Sequence, residues 1–304
     1  MVGRVLVVGA GISGAACAAA LRAAGVEVEV RERGRAVGGR LASPELHGRR
    51  VDLGAAYVTA KDDGFGAVVA DWQRRGLVRE WTDTFAVFDR DGASTRSGPT
   101  RYATGQGLRS LARDLHGEVA LGEQVHELPD THDVTVLAMP DPQAARLAGN
   151  LIDWVGYEPV ISIAAGFAER SWSCDAAFVN DHRALALIAD DGTRRGDAAP
   201  VLVVHTTPEL AREHLDEPDG AVAPAIDALR ELLDLGSAPL WTHAHRWTFA
   251  KPAATHGPAP YWHDGRLAVC GDSWCPDGAP RVEAAWLSGH RLGGELGRVL
   301  GSDR

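Results

Sequence analysis

The fold is decided by residues 4–40, RVLVVGAGISGAACAAALRAAGVEVEVRERGRAVGGR. A short apolar run predicts a buried parallel strand, and an Ala-rich helix follows after the pattern Gly-x-Gly-x-x-Gly. In this pattern Gly9 makes the tight turn, Gly11 lets the backbone approach a pyrophosphate, and Gly14 allows close packing of helix on sheet. A second strand ends just before Glu32, whose carboxylate is placed to accept from a ribose hydroxyl. These parts in this order predict a site for one half of a dinucleotide.

The residues that follow indicate which dinucleotide it is. They form a Gly-rich turn with an arginine, Gly38-Gly39-Arg40, for which a nicotinamide-binding domain has no use. The turn resembles the second half of the FAD fingerprint of the glutathione-reductase-like flavoproteins, specifically their amine oxidase and renalase branch. A second signature of that branch lies near the other end of the chain, where a predicted strand ends in Gly271-Asp272 and a helix opens with VEAAWLSG at 282–289. The resemblance implies an FAD cofactor. Since no cysteine or histidine occupies a recognisable attachment motif, we predict that FAD binds non-covalently.

The resemblance also implies which residues hold the cofactor. The run VDLGAAY at 51–57 is similar to the segment that these flavoproteins place against the isoalloxazine ring, where small side chains leave the backbone accessible. Ala56 stands where such families often carry a polar residue such as Gln. The predicted FAD-binding residues are Gly9, Gly11, Ile12, Ser13, Gly14, Glu32, Arg33, Gly39, Arg40, Leu41, Gly54, Ala55, Ala56, Val125, Gly271, Asp272, Glu283, Ala284 and Ala285.

The expected fold class is α/β. It comprises a Rossmann-like FAD-binding domain and a second substrate domain built on a mixed or antiparallel sheet, as in the amine oxidases and p-hydroxybenzoate hydroxylase. From about Trp154 the sequence predicts many strands with few crossover helices, which favours such a sheet. Pro140 and Pro142 are expected to end the strand that completes the first sheet. We predict a discontinuous FAD-binding domain of residues 1–60, 100–153 and 264–304, and a substrate domain of residues 61–99 and 154–263.

Composition excludes several other classes of protein. The formal net charge is −10 and the pI is about 5.6, so neither a nucleic acid nor an anionic membrane finds a basic surface to bind. No apolar run approaches the roughly 20 residues of a membrane span. The few residues before the first predicted strand leave no room for a signal peptide, so we expect a cytoplasmic protein. The four cysteines have no metal-binding spacing, and we predict no metal site.

The reaction is inferred from a narrower resemblance. The chain length, the run DLGAAY and the segment HRWTFA at 245–250 are similar to the renalase-like branch of the flavin amine oxidase superfamily. This implies an FAD-dependent oxidase that moves a hydride from a small reduced substrate, a dihydronicotinamide (NAD(P)H) isomer, to flavin N5, with O2 as acceptor and H2O2 as product. Such a donor is electron-rich, so stacking and orientation matter more than a strong base.

Candidate substrate residues lie in the predicted strand WTHAHRW at 241–247. Strand alternation places His243, His245 and Trp247 on one face. His245 is the candidate catalytic residue, and a structural histidine on a sheet face is the alternative. The predicted substrate-binding residues are Tyr57, His243, Trp247, Trp262 and Trp274, and for Trp247 and Trp262 a core role is equally open.

Two other functions stay open. One is an amine oxidase or desaturase acting on a small metabolite. The other is a flavin-binding protein without turnover.

Overall fold

The computed structural model describes residues 3–277 and 279–301, so the predicted domain limits at 1 and 304 lie outside the described residues. The strands are β1 (Arg4–Val8), β2 (Glu27–Glu32), β3 (Glu45–Leu46), β4 (Arg49–Arg50), β5 (Arg79–Asp89), β6 (Gly92–Ala103), β7 (Ala120–Leu121), β8 (Val134–Leu137), β9 (Tyr157–Gly166), β10 (Ala176–Val179), β11 (Leu185–Asp190), β12 (Val201–Thr206), β13 (Trp241–Pro252), β14 (Trp262–His263) and β15 (Leu267–Val269). The α-helices are α1 (Ile12–Ala23), α2 (Asp63–Arg74), α3 (Arg109–Leu115), α4 (Asp141–Ala148), α5 (Asp191–Arg195), α6 (Pro208–Glu213), α7 (Val222–Leu232) and α8 (Val282–Leu300). Short 3-10 turns lie at Gly39–Leu41 and Pro218–Ala221.

The first sheet is Rossmann-like. Its six strands run in the order β14-β15-β8-β1-β2-β7, and every pair except β14 with β15 is parallel. Residues 5–8 of β1 are all buried, as expected for a central parallel strand covered on both faces. Helices α1 and α8 pack so closely that a Cβ on Gly289 would overlap the carbonyl oxygen of Ser13. The predicted α/β class and its Rossmann-like part are therefore confirmed.

The second sheet is mixed, as predicted. Its seven strands run in the order β13-β9-β12-β11-β10-β5-β6, and only the β10–β5 pair is parallel. One face packs on α6 and α7 through residues such as Ile163, Val204 and Leu229. The opposite face packs on the segment after β4, where Leu53 contacts the cluster that includes Ala164. This second face is therefore turned toward the segment predicted to meet the isoalloxazine ring.

Two elements of the predicted substrate segments contact the first sheet or its helices. Helix α2, within 61–99, packs Phe65 and Trp72 against Ile12 of α1 and Trp286 of α8. Strand β14, within 154–263, pairs with β15 and so extends the first sheet. Strand β8 ends before Pro140 and Pro142, as expected, and helix α4 begins between them at Asp141, because proline is tolerated in the first turn of a helix.

No helix within residues 3–277 and 279–301 is both long enough and apolar enough to cross a membrane.

Candidate active site

The Gly-rich turn after β1 has the geometry of a phosphate-binding loop. Gly9 has a φ of 111°, and a Cβ there would clash with the carbonyl oxygen of Ala138. A Cβ on Gly14 would overlap the carbonyl oxygen of Gly9. A Cβ on Gly11, in contrast, would meet nothing within 4 Å. The turn therefore requires glycine at two positions and leaves open space beside the third.

The open space beside Gly11 is surrounded by unused polar groups. No side chain caps the N-terminus of α1, and the buried hydroxyl of Ser13 has no hydrogen-bond partner among the described residues. Free amide groups and the positive end of the helix dipole favour an anion at this position. Glu32 lies across the turn, where its carboxylate accepts from the amides of Ala10 (2.9 Å) and Gly34 (2.7 Å). The residues present fit the pyrophosphate and ribose of a dinucleotide.

The second half of the fingerprint meets the first half directly. Gly38, with a φ of 111°, donates its amide to the carbonyl of Ala10 at 2.7 Å. A Cβ on Gly39 would lie 3.5 Å from the Cα of Gly11. Leu41, two residues after Gly39, is buried in the core with Ile12. Arg33 is exposed to solvent.

The two ends of the chain are joined by an ion pair. Both terminal nitrogens of Arg40 donate to the carboxylate of Asp272, each at 2.7 Å, and Nη1 also donates to the carbonyl of Ala250 at 3.0 Å. The hydroxyl of Tyr157 donates to Asp272 at 3.0 Å. Burial and the Asp272 carboxylate raise the pKa of Tyr157, so this phenol stays a neutral donor. Sequence reasoning missed Tyr157 because it lies in β9, with no motif around it.

The three predicted FAD-binding residues at the beginning of α8 have different surroundings. The buried carboxylate of Glu283 accepts from the amides of Lys61 (2.6 Å) and Asp62 (2.7 Å), so its side chain holds the start of α2. Ala284 and Ala285 are buried and small. Gly271 is tied to the same helix, because its amide donates to Oγ of Ser288 at 3.0 Å; a Cβ on Gly271 would meet only the carbonyl of Met139, at 3.7 Å.

The segment 51–57 is held between the Gly-rich turn that ends at Arg40 and the second sheet. A Cβ on Gly54 would overlap the carbonyl oxygen of Arg40, and the amide of Ala55 donates to that same oxygen at 2.9 Å. From the other side, Nε1 of Trp247 donates to the carbonyl of Leu53 at 2.7 Å. Only glycine fits at position 54.

A buried arginine supports the far side of this segment. Arg194, in α5, is fully buried and donates to the carbonyls of Ala56 (3.1 Å) and Asp52 (3.1 Å) and to the carboxylate of Asp191 (2.6 Å). The neighbouring Arg195 forms an ion pair with the side chain of Asp52. The sequence around α5, DDGTRRGD, looks like a surface loop, and its composition carries no signal of this role.

Charge compensation keeps this network ionised. Burial raises the pKa of Asp191, but the positive charges of Arg194, Arg195 and Arg49 outweigh it and lower the pKa below the ordinary value. The network therefore fixes the segment beside the Gly-rich turn with paired charges at neutral pH.

Strand register brings a row of polar side chains together on the face toward Leu53. His245 of β13 pairs with Ser162 of β9, which pairs on its other side with His205 of β12. His243 and Trp247 lie on the same face of β13, and the rings of His245 and Trp247 meet edge to face at 4.4 Å. Ser162 is buried, and its hydroxyl has no hydrogen-bond partner among the described residues.

Within this row, His205 and His245 are neutral at neutral pH. Burial, followed by the charge of Arg194, lowers the pKa of His205 to about 4, although the backbone of Gly54 acts in the opposite direction. Burial and the neighbouring His243 also lower the pKa of His245. His205 was not among the sequence-predicted residues, since nothing near it in β12 marks it.

The other predicted aromatic residues lie elsewhere. Tyr57 contacts Phe85 of β5 edge to face at 5.4 Å, several strands away from Trp247. Trp262 and Trp274 pack in a core cluster on one face of the first sheet, where Trp274 stacks on His256 at 3.7 Å. The predicted adenine contact, Val125, packs against the same cluster. The structure thus brings His243, His245 and Trp247 together but not the remaining predicted substrate residues.

Comparisons with known proteins agree with this arrangement. Residues 7–72 match the family model of the NAD(P)-binding Rossmann-like domain. The chain is 24% identical to renalase from Mus musculus, across 88% of this chain and 92% of that protein. It is 42% identical to polyamine oxidase 1 from Oryza sativa subsp. japonica over 95 residues, which are 27% of this chain and 18% of that protein. Cyclohexylamine oxidase from Brevibacterium oxydans IH-35A has the same fold, with a TM-score of 0.76 at 12% identity, covering 99% of this chain and 100% of that one.

These findings define the class of protein that the chain resembles. Its fold is that of the amine oxidases, and its similarity to renalase over most of the chain agrees with a flavin-dependent oxidoreductase. Its predicted resemblance to the renalase-like branch of that superfamily is confirmed.

Proposed function

We propose that this protein is an oxidase that binds FAD non-covalently and takes a hydride from a small reduced substrate, a dihydronicotinamide isomer. When bound, FAD supplies the hydride acceptor at N5, and O2 takes up the electrons to give H2O2. The observation that carries the proposal is the neutral, aromatic face of His205, Ser162, His245 and Trp247 beside Gly54. Similarity to renalase over most of the chain supports the same substrate class.

The chain's own residues would hold both the pyrophosphate and the ring system of the cofactor. The amides at the start of α1 and the hydroxyl of Ser13 would bind the pyrophosphate, and Glu32 would accept from the ribose. Arg40 and Asp272 would form one wall, because their ion pair joins the Gly-rich turn to the strand end before α8. Gly54 would leave the backbone of its segment accessible to the ring system.

The charge state of the substrate face suits a dihydropyridine ring. Loss of a hydride turns such a ring into a pyridinium cation, so a cationic neighbour would oppose the reaction. Because the pKa values of His205 and His245 are lowered, both side chains are neutral when that positive charge develops. Neutral imidazoles and the Ser162 hydroxyl can still orient a polar substituent of the ring by hydrogen bonds. Trp247, fixed by its bond to Leu53, offers a rigid flat surface for stacking.

The test is an anaerobic mixing experiment with the purified holoprotein. Partly borohydride-reduced NAD supplies the dihydronicotinamide isomers, and ordinary NADH is the control. We expect rapid bleaching of the visible flavin band by the isomer mixture and slow or no bleaching by NADH, followed on aeration by one H2O2 per substrate. Absence of bleaching by the isomers, or equal bleaching by NADH, contradicts the proposed substrate.

Two variants test the role of the substrate face. His245→Ala should slow the bleaching rate, whereas His263→Ala, an exposed histidine on β14, should not. Acid precipitation tests the cofactor: the flavin should remain in the supernatant and be identified as FAD, and flavin in the pellet would contradict non-covalent binding.

An amine substrate is the second candidate. It is favoured by the 42% identity to polyamine oxidase 1 over 95 residues. The same anaerobic experiment with a panel of small amines separates the two, because only one substrate class should bleach the flavin. A flavin bleached by dithionite but by neither class would favour a binding role without turnover.

A further inference from the structure

A cavity lies outside the proposed flavin site. It has a volume of about 340 Å³ and lies between α3, the chain just after α2 and the β3–β4 hairpin. Three arginines line it, Arg50, Arg109 and Arg113, together with Ser110 and one acid, Asp114. None of its lining residues is among those proposed to bind FAD or substrate. The chain as a whole carries a formal charge of −10, so this concentration of positive charge is local.

The acid in the cavity is already neutralised from outside it. Two nitrogens of Arg75 donate to the carboxylate of Asp114 at 2.7 and 2.6 Å, and Nε1 of Trp72 donates to it at 2.9 Å. These bonds hold the pKa of Asp114 below its ordinary value, so it is fully ionised and fully occupied. Asp114 therefore does not compensate the three cavity arginines.

Few acidic groups neutralise the positive charges of the three cavity arginines. Arg50 lies 3.7 Å from Glu45, an exposed pair of little energetic weight. The guanidinium groups of Arg109 and Arg113 form no hydrogen bond or ion pair with any residue in 3–277 or 279–301. The nearby carboxylate of Asp52 is bound by Arg195 and accepts from Ser43 and the amide of Leu108. Two positive charges are thus left without an acid.

Burial increases the energetic cost of these uncompensated charges. Nε of Arg109 and Oγ of Ser110 are buried and have no hydrogen-bond partner among the described residues. A buried donor without a partner is costly to the folded state, and like charges nearby increase the cost. Burial, then the charges of Arg50 and Arg113, lower the pKa of Arg109, which is the response expected of a cation in a positive environment. A bound anion would satisfy the donors and offset the repulsion.

We propose that this cavity is a binding site for a small phosphate-bearing anion, held by Arg50, Arg109 and Arg113. Guanidinium groups match the geometry of phosphate oxygens and remain charged at every physiological pH. The volume is at the lower end of the range for small-molecule sites, which suits a diphosphate group or a mononucleotide. The phosphates could be free or part of a nucleotide, and the probes below distinguish these two sources.

The cavity does not include the Gly-rich turn at 38–40, but one of its arginines contacts that turn. Arg109 packs behind Gly38, since a Cβ on that glycine would lie 3.0 Å from Cγ of Arg109. The test therefore uses the holoprotein, whose own pyrophosphate site is filled by FAD, and it measures binding rather than turnover. Isothermal titration with inorganic pyrophosphate and, separately, with ADP is done at constant ionic strength set by chloride, because exposed charges are screened by salt.

The variants are Arg113→Gln and Arg109→Gln, with Arg90→Gln as the control of equal charge. Arg90 has an 81% exposed side chain at the β5–β6 turn, away from the cavity. We expect saturable one-site binding of pyrophosphate, weakened roughly tenfold or more by each cavity variant and unchanged by the control. If Arg109→Gln alters the flavin content, the effect of Arg113→Gln on pyrophosphate binding is the deciding result. Arg113 is exposed and makes no contact with the Gly-rich turn in the described structure.

The outcomes divide cleanly. Equal affinities for pyrophosphate and ADP support recognition of phosphates alone, and tighter binding of ADP supports a nucleotide ligand. No saturable binding of either probe, or equal weakening by Arg90→Gln, overturns the proposal. None of these results depends on whether dihydronicotinamide isomers bleach the flavin, so the two proposals fail independently.

Discussion

Replacing Arg194 by methionine should destabilise the protein far more than an ordinary arginine substitution. Methionine has a similar length, so the change removes the charge and the donors but leaves much of the volume. The carbonyls of Ala56 and Asp52 lose their donor, and the buried carboxylate of Asp191 loses its 2.6 Å partner. Removing one partner of a buried ion pair typically costs about 3–5 kcal/mol.

The lower end of that range applies here. Asp191 would keep Arg49 at 3.0 Å and Arg195 at 3.4 Å, so part of its charge stays compensated. We therefore expect the free energy of unfolding of Arg194→Met to fall by about 3 kcal/mol. The same variant should also retain less flavin on desalting, because Arg194 fixes the segment on which Gly54 lies.

Urea unfolding followed by far-UV circular dichroism, with an equal excess of FAD in all samples, measures the loss. Arg212→Met is the matched control, since this arginine is 51% exposed and its ion pairs at 3.5 and 3.7 Å contribute under about 1 kcal/mol. The reasoning is refuted if Arg194→Met loses no more stability than Arg212→Met, or if flavin retention is unchanged.

Three further outcomes are expected. In the same urea assay, Gly289→Ala should lower the free energy of unfolding by roughly 1–3 kcal/mol, because its Cβ would overlap the Ser13 carbonyl. Gly294→Ala in the same helix should raise the free energy of unfolding by about 0.5–1 kcal/mol, because its Cβ meets nothing within 4 Å. The pKa of His205 is lowered from 6.5 to about 4, so between these pH values the unfolded chain binds more protons than the folded protein. The free energy of unfolding should therefore fall by on the order of 3 kcal/mol as the pH drops from 6.5 to 4. In a series of unfolding curves at different pH, His205→Gln should reduce this dependence on pH. Burial and the Asp277 carboxylate raise the pKa of Cys275 to about 11, so iodoacetamide at pH 8 should label it far more slowly than free cysteine, as measured by peptide mass spectrometry.

The parts of the fold that the sequence predicted are those with local causes. The turn at Gly9 and the strand and helix around it follow from a contiguous pattern, and the structure needs the same backbone geometry that the pattern indicates. Strand alternation likewise predicted that His243, His245 and Trp247 share a face. Helix α4 was hidden because proline was interpreted as an end signal, although Pro142 lies in the first turn, where its missing N–H costs nothing.

The parts that sequence reasoning missed depend on contacts between distant segments. Arg194 and Arg195 lie in a short polar stretch whose composition is typical of an exposed loop. Their burial is stable only because Asp52 and Asp191 neutralise them and because the carbonyl of Ala56 needs a donor. No periodicity or motif encodes that combination. His205 was missed for the same reason, since its role comes from the strands on either side of it.

The ion pair between Arg40 and Asp272 joins two sequence signatures that are 232 residues apart. Arg40 ends the Gly-rich turn, and its carbonyl oxygen also accepts from the amide of Ala55, so this one residue holds the Gly-rich turn and the segment beside Gly54 together. Its guanidinium reaches β13 through the carbonyl of Ala250, and Tyr157 of β9 donates to the same carboxylate. A shift of Asp272 would therefore move the Gly-rich turn relative to the strands that hold His245 and Trp247. Because β9 and β13 are paired along most of their length, this partly buried ion pair ties the Gly-rich turn to both strands that carry the row of polar side chains.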